Sequence, residues 1–291
     1  MSMFNAIDRV MLAVQNLDRG RDAYRAVLGR EPSEEGSDTT LGVAYCRFRL
    51  LHSCIELISP LAGHEGNNPL FRRAQWQLRN HGEGLMAIAF ASQQLDECQT
   101  ALNERGVMVE EFKGDIKGDS YLSRSRMIQL TEEHCLGLGL FAVETCDRLQ
   151  RPFAVAIDSN QSMGVIDDVD HIVLNTRDSD ALKACLSEQL GLSLRLDQCR
   201  EEWGVRQLFY RVGANILEVM EFLSEEQKAK ADYFWGIALA VPRLDPCLER
   251  LKEGQVDVSK ARKGRKRHSR VATLKSHDCG AATLLISQEQ A

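Results

Sequence analysis

Val169-Asp170-His171-Ile172-Val173-Leu174 repeats Ile7-Asp8-Arg9-Val10-Met11-Leu12 at a shift of 162 positions, counted from residue 8 to residue 170. The register holds further along the chain, where Leu28-Gly29 returns as Leu190-Gly191 and Glu56 returns as Glu218. A constant offset with matching residue types at both ends is the trace of a duplicated structural unit. The copies differ where chemistry would sit: the second offers a histidine and a carboxylate, the first an arginine and a carboxylate.

Outward from the first copy, residues 6–14 alternate as a strand, and Asn16-Leu17-Asp18 caps an amphipathic helix closed by Leu28-Gly29. A short strand near 31–35 and strands at 42–50 and 53–59 follow, the last stopped by Pro60. A helical connector at 69–79 runs to His81-Gly82-Glu83-Gly84, and the order restarts: strand 85–91, helix 94–105, strands 107–112, 125–130 and 136–143. Residues 145–165 read as a polar linker. The third unit is strand 169–176, helix 178–190 and strands 193–198, 205–211 and 214–221. The fourth opens at 235–241, has a helix at 243–253 and closes on 281–286. The pattern predicts an α+β chain of four βαβββ modules, each of about 55–60 residues, divided into halves 1–145 and 166–291.

The 291 residues are 44% hydrophobic and 27% charged, enough for at least one large core, with two domains expected. A formal net charge of -6 argues against a nucleic-acid-binding protein. The basic run from Lys260 to Arg270 stands against that background and reads as a solvated loop, or as a place for a phosphate or an anionic partner. Nine scattered cysteines form no C-x-x-C pair and read as reduced, mostly buried thiols. The opening residues lack the basic and apolar regions of a signal peptide, and no segment reaches the length of a membrane span, so a cytoplasmic protein without a membrane partner is expected.

The chain resembles the vicinal oxygen chelate superfamily, which includes glyoxalase I, methylmalonyl-CoA epimerase, extradiol dioxygenases and bleomycin-resistance proteins. The carriers in the first half are Ile7-Asp8-Arg9-Val10, Asn16-Leu17-Asp18, Val27-Leu28-Gly29, Ile55-Glu56-Leu57-Ile58-Ser59-Pro60 and Gly82-Glu83-Gly84-Leu85-Met86-Ala87-Ile88-Ala89-Phe90. In the second half they are Val169-Asp170-His171-Ile172-Val173-Leu174, Leu190-Gly191 and Ile216-Leu217-Glu218-Val219. The first half looks most like the epimerase branch. The resemblance implies modules paired into two cupped, barrel-like mixed sheets with helices outside, and a metal held in the cup by the first and last strands of each module. Carried onto this chain, the ligand positions are Arg9, Glu56, Ala87 and Phe141 in the first half and His171, Glu218, Gly236 and Leu284 in the second. Only Glu56, His171 and Glu218 have metal-ligand chemistry.

A divalent metal such as Zn, Mn, Fe, Ni or Co needs about three His or carboxylate ligands with open positions for substrate. The first half does not supply them, since arginine stays protonated and Ala87 and Phe141 have no donor atom. There, Arg9 with Glu56 is either a buried ion pair or a fixed positive charge that binds an anionic oxygen in place of the metal. In the second half, His171 and Glu218 would share a face, either as metal ligands, with His268, His277 or Asp278 as a third, or as a histidine hydrogen-bonded to a carboxylate. Ala87, Ala89, Ala91 and Gly236, Ala238, Ala240 alternate along matching strands. They leave room in a cup for a bulky or flat apolar ligand, or mark close packing by helices. Two functions follow. One is an isomerase, epimerase, lyase or dioxygenase with at most one degenerate metal site, in the C-terminal half, and with Glu218 as an alternative general base. The other is a binder that sequesters a small molecule without reaction. A monomer is expected, with a homodimer as the alternative.

Overall fold

The computed structural model describes residues 3–114, 126–145, 164–275 and 280–288. The first half runs β1 (Ala6–Ala13), α1 (Leu17–Leu28), β2 (Glu34–Asp38), β3 (Val43–Arg49), β4 (Cys54–Pro60), α2 (Pro69–Asn80), β5 (Gly84–Ser92), α3 (Leu95–Glu104), β6 (Val109–Lys113), β7 (Arg126–Leu130) and β8 (Gly139–Glu144). The second runs β9 (Asp168–Asn175), α4 (Ser179–Lys183), β10 (Ser193–Arg200), β11 (Val205–Val212), β12 (Asn215–Phe222), β13 (Tyr233–Ala240), α5 (Leu244–Glu253), β14 (Arg262–Lys263), β15 (Ser269–Thr273) and β16 (Ala282–Gln288). Local chemistry sets the boundaries. The Asn16 side chain accepts from the Arg19 N–H to start α1, and Gly29 ends it at a φ of 72°.

The strands form two eight-stranded mixed sheets, ordered β2-β3-β4-β1-β5-β8-β7-β6 and β10-β11-β12-β9-β13-β16-β15-β14. In each, the first strand of a module lies parallel to the last strand of its own module and antiparallel to the first strand of the next. The first module therefore pairs with the second and the third with the fourth, with no exchange between halves. This is the α+β architecture of βαβββ modules that the sequence predicts.

One hydrophobic core joins the halves. Leu12, Tyr24, Leu28, Leu57, Ile88 and Leu140 belong to the same cluster as Leu174, Leu186, Leu217, Leu239 and Leu251. Arginines bolt the seam. Arg250 after β13 donates to the carbonyls of Ala26, Val27 and Gly164, and Arg105 after α3 donates to the Gln189 carbonyl. The carbonyls of Ala26, Val27 and Gln189 lie at helix ends, where a cation satisfies them well. The repeated Leu-Gly thus has two causes: Gly29 and Gly191 have left-handed φ, and a Cβ on either would lie 3.0 Å or less from the guanidinium of Arg250 or Arg105.

Four local expectations change. The helix expected over 178–190 is α-helical for Ser179–Lys183 only and widens into a π-turn over Ala184–Gln189. The strand expected near 31–35 lies at Glu34–Asp38. The basic run is not loop throughout: Arg262 and Lys263 pair with Val271 and Arg270 in an edge hairpin. Helices lie outside the sheets with one exception, α2, whose Leu70, Phe71 and Ala74 pack with Met11, Ala13, Ala87, Ala89 and Phe141 on the face opposite α1 and α3. The described cysteines are all free, and all but Cys199 are buried. Among the described residues no helix is long and apolar enough to cross a membrane.

Candidate functional site in the second cup

Strand register lays the expected site positions out in rows. In the first sheet Arg47, Glu56, Met11, Ala87 and Gly139 are successive partners across five strands, and Arg9, Ala89 and Phe141 form the adjoining row. The matching rows of the second sheet are Phe209, Glu218, Val173, Gly236, Ala282 and His171, Ala238, Leu284. The two cups therefore superpose position for position while their chemistry diverges.

The first cup is sealed. Arg9 Nη1 lies 3.2 Å from Glu56 Oε2, and its Nε lies 2.7 Å from Asp8 Oδ2; Arg9 and Glu56 are each 2% exposed. Arg47, which the sequence reading missed, donates from Nε to Glu56 Oε1 at 2.5 Å, contacts Glu34 at 3.2 Å and stacks 4.3 Å over the Tyr45 ring. Burial pushes the Glu56 carboxyl up, but Arg47 and Arg9 outweigh it and hold the group below its ordinary value. Burial likewise lowers Arg9, yet Asp8 and Glu56 together leave it above its ordinary value. The network is a locked set of charges. Arg9 Nη2 alone is left buried without a hydrogen-bond partner.

Helix α2 closes this cup over Ala87. Arg73 Nε donates to the Met86 carbonyl at 2.9 Å and Nη1 to the Gly137 carbonyl at 3.0 Å. A Cβ on Gly139 would lie 2.8 Å from Arg73 Nε and 2.9 Å from the Ala87 Cβ. The small side chains of β5 thus admit the protein's own helix, and Ala87 is buried against it. Arg9 and Glu56 meet as expected, in the form of a buried ion pair.

In the second cup residues 223–232 replace the long connector 61–83, and among the described residues no helix covers this face. His171 and Glu218 remain 18% and 13% exposed, against 2% for each of Arg9 and Glu56. His171 Nδ1 is 2.7 Å from Asp170 Oδ1, and Nε2 is 3.5 Å from Glu218 Oε2. Asp170 thus orients the imidazole, and Nε2 faces Glu218. Gln207 Nε2 donates to Glu218 Oε1 at 2.7 Å and is itself held by Gln198 at 3.2 Å. Asp170 also meets Lys266 Nζ at 3.5 Å. Burial raises the Asp170 carboxyl, while the His171 hydrogen bond and the charges of His171 and Lys266 bring it below its ordinary value. The sequence marks Asp170 only through the repeat of Asp8-Arg9 as Asp170-His171, and carries no mark of Gln207.

Among the described residues the donor set does not fit a resident metal. His171 and Glu218 supply two donors, while Ala238, Leu284 and Gly236 supply none, and among the described residues no group of three His, Cys, Asp or Glu side chains is arranged to hold a metal ion. His268 sits at the hairpin tip with a φ of 56° and joins no such group. His277 and Asp278 lie outside the described residues. Gly236 brings its backbone alone: a Cβ there would lie 3.1 Å from the Ala282 Cβ, so the position is close strand packing.

Comparison with known proteins agrees with this architecture. The family described as a glyoxalase-like domain matches residues 7–154, and the glyoxalase/bleomycin resistance protein/dioxygenase superfamily matches residues 170–273. No match is found among curated proteins. A mutant 4-hydroxymandelate synthase from Streptomyces coelicolor superposes with a TM-score of 0.68 at 11% identity, over 99% of this chain and 94% of its own. An extradiol ring-cleaving dioxygenase from B. fuscum gives 0.63 at 16% identity, over 99% of this chain and 73% of its own. A methylmalonyl-CoA epimerase from Mycobacterium tuberculosis matches 47% of this chain and 95% of its own at 20% identity, with a TM-score of 0.39. At these identities the likeness is one of fold. With a glyoxalase-like family match on each half and the paired βαβββ sheets, the chain belongs to the glyoxalase/bleomycin resistance protein/dioxygenase superfamily, the vicinal oxygen chelate proteins.

Proposed function

We propose that the second cup is the working site and that it moves protons on a small molecule, as an isomerase or epimerase does. The observation that carries this is the contrast between homologous pairs: Arg9 and Glu56 are sealed and locked by Arg47, whereas His171 and Glu218 keep access to solvent. Glu218 takes the proton from a carbon next to a carbonyl, and the bonding electrons of that C–H move onto the carbonyl oxygen. His171, held by Asp170, donates a proton or hydrogen bond to that oxygen, and Gln207 keeps Glu218 in place. Isomerase or epimerase chemistry is favoured over lyase or dioxygenase chemistry because the donors fit proton transfer better than metal-bound oxygen activation.

The test is solvent exchange. The protein is incubated in D2O with a panel of 2-substituted thioesters and 2-oxo acids, and loss of the α-proton signal is followed by NMR. Exchange that depends on Glu218 and falls at least about 100-fold in Glu218→Gln supports the reading. Exchange equal in the variant, or none across the panel, overturns it. Stabilisation of the protein by a panel compound without exchange favours the sequestering alternative.

A further inference from the structure

We infer that the hairpin of β14 and β15 binds the phosphate-bearing end of the ligand whose reactive end lies at His171 and Glu218. The inference rests on the second cup being the ligand site. Lys263, Arg265, Lys266 and Arg267 place four cations within five residues. Among the described residues Lys263, Arg265 and Arg267 enter no ion pair, and Lys266 meets Asp170 alone, the same Asp170 that holds His171. A hairpin that merely faced solvent would not be tied to the site. This one is.

The tie has two sides. Strands β10 and β14 are opposite edges of the sheet, yet the Arg265 guanidinium lies 4.2 Å over the ring of Trp203, which stands in the turn between β10 and β11. Arg200 approaches the same ring at 5.6 Å. The tip thus spans the mouth of the cup from the Trp203 side to the β9 side, where Lys266 reaches Asp170. It is also a built turn: the Lys266 carbonyl accepts from Ser269 N at 3.1 Å and Ser269 Oγ at 2.6 Å, Gly264 N donates to the Ser269 carbonyl at 2.8 Å, and His268 takes a left-handed φ. Arg270 anchors it to α5 through both oxygens of Asp245 at 2.8 Å. The turn bounds an open depression of about 730 Å³ lined by residues 263–270.

Charge selects the ligand class. Clustering four cations costs Coulomb energy that an anion repays, and in a protein of net charge -6 such a cluster is a local exception. One carboxylate neutralises one of them. A phosphate or diphosphate neutralises two or more, accepts bidentate guanidinium hydrogen bonds and matches the planar donors of Arg265 and Arg267. The exposed face of Trp203, itself 40% exposed, offers a platform for the part of the ligand between the two ends.

Inorganic pyrophosphate is the probe, titrated into the full-length protein at low salt and followed by tryptophan fluorescence and calorimetry. The expected result is one site per chain, affinity lower by at least about tenfold in the variant Lys263→Gln, Arg265→Gln, Arg267→Gln, and affinity unchanged in Glu218→Gln. Arg265→Gln alone leaves the turn intact and should still lower affinity, so a folding defect in the triple variant does not blur the answer. No binding, or equal binding by native protein and variants, overturns the inference. Malonate bound as tightly as pyrophosphate overturns the phosphate assignment. Single-stranded oligonucleotides that displace pyrophosphate with affinity rising with length overturn the small-ligand reading. Pyrophosphate binding retained in a protein that exchanges no α-proton would sink the catalytic proposal and leave this one standing.

Discussion

Removing Glu56 should cost far more stability than removing Glu218, although the two occupy the same place in their modules. Glu56→Ala strips the shared partner from Arg9 and Arg47, which are 2% and 7% exposed, and leaves two buried guanidinium groups with only Asp8 and Glu34 beside them. Breaking a buried pair on one side costs about 3–5 kcal/mol, and the loss of two contacts places this change at the upper end. At roughly 2–4 °C of unfolding temperature per kcal/mol, the midpoint should fall by about 10–20 °C. Glu218→Ala deletes one amide hydrogen bond and one contact at 3.5 Å in a partly solvated place, worth about 1–2 kcal/mol. Circular dichroism melts of both variants at pH 7 measure the difference. The acid limb adds a sign. Because the folded Glu56 carboxyl sits below its ordinary 4.5, its contribution is complete above that value and disappears as pH falls through the depressed one. Native protein should therefore lose stability on acidification below about pH 4.5 more steeply than Glu56→Gln does. Equal melts for Glu56→Ala and Glu218→Ala, or parallel acid limbs, would refute the account of a sealed first cup and an accessible second one.

Three further outcomes follow from the packing. Gly139→Ala should cost about 1–3 kcal/mol, since the new Cβ would crowd the Met86 carbonyl of β5 as well as Arg73, and the fluorescence of Trp76, whose ring lies 4.4 Å under the Arg73 guanidinium, should shift as Arg73 moves. Arg250→Ala should free the carbonyls of Ala26, Val27 and Gly164, so hydrogen exchange should quicken in the last turn of α1 while β12 stays protected. Prolonged dialysis against EDTA should move the unfolding midpoint by less than about 1 °C, since two donors form a weak site; a larger drop reversed by Zn, Mn, Fe, Ni or Co would reveal a third ligand.

The repeat was readable because its signals are local. Strand alternation, Leu-Gly helix ends and a carboxylate at constant offset each survive in one dimension, and they define the modules and the order of their strands. The Arg9–Glu56 and His171–Glu218 meetings follow from that order, since the register sets the pairs side by side. What eluded the sequence depends on distance in three dimensions. Arg47 sits in an apolar strand, Tyr45-Cys46-Arg47-Phe48, and its partner Glu56 is disclosed only when β3 and β4 are aligned. The alanine stripes of β5 and β13 look alike in sequence, yet one is covered by a helix and the other is not, a difference set by what the connector does after leaving the sheet. Likewise, the run from Lys260 to Arg270 carries no periodicity that would bring Arg265 onto Trp203.

The connector also explains why the two halves hold different residues at matching positions. Residues 61–83 supply a helix that removes solvent from the first cup, and a carboxylate that loses its water needs charge in return. A neutral imidazole at position 9 would leave Glu56 with a single cation. Arginine there, with Arg47 opposite, gives it two, and the set closes on Asp8 and Glu34. Residues 223–232 supply no such helix, so Glu218 keeps partial hydration and needs only the amide of Gln207 and the edge of His171. A histidine there offers a ring nitrogen that can accept or donate a hydrogen bond, which a buried arginine, a donor only, cannot do. On the proposed reading, what the connector does after leaving the sheet separates the structural cup from the working one. The basic hairpin lies beside the second cup, where Lys266 meets Asp170.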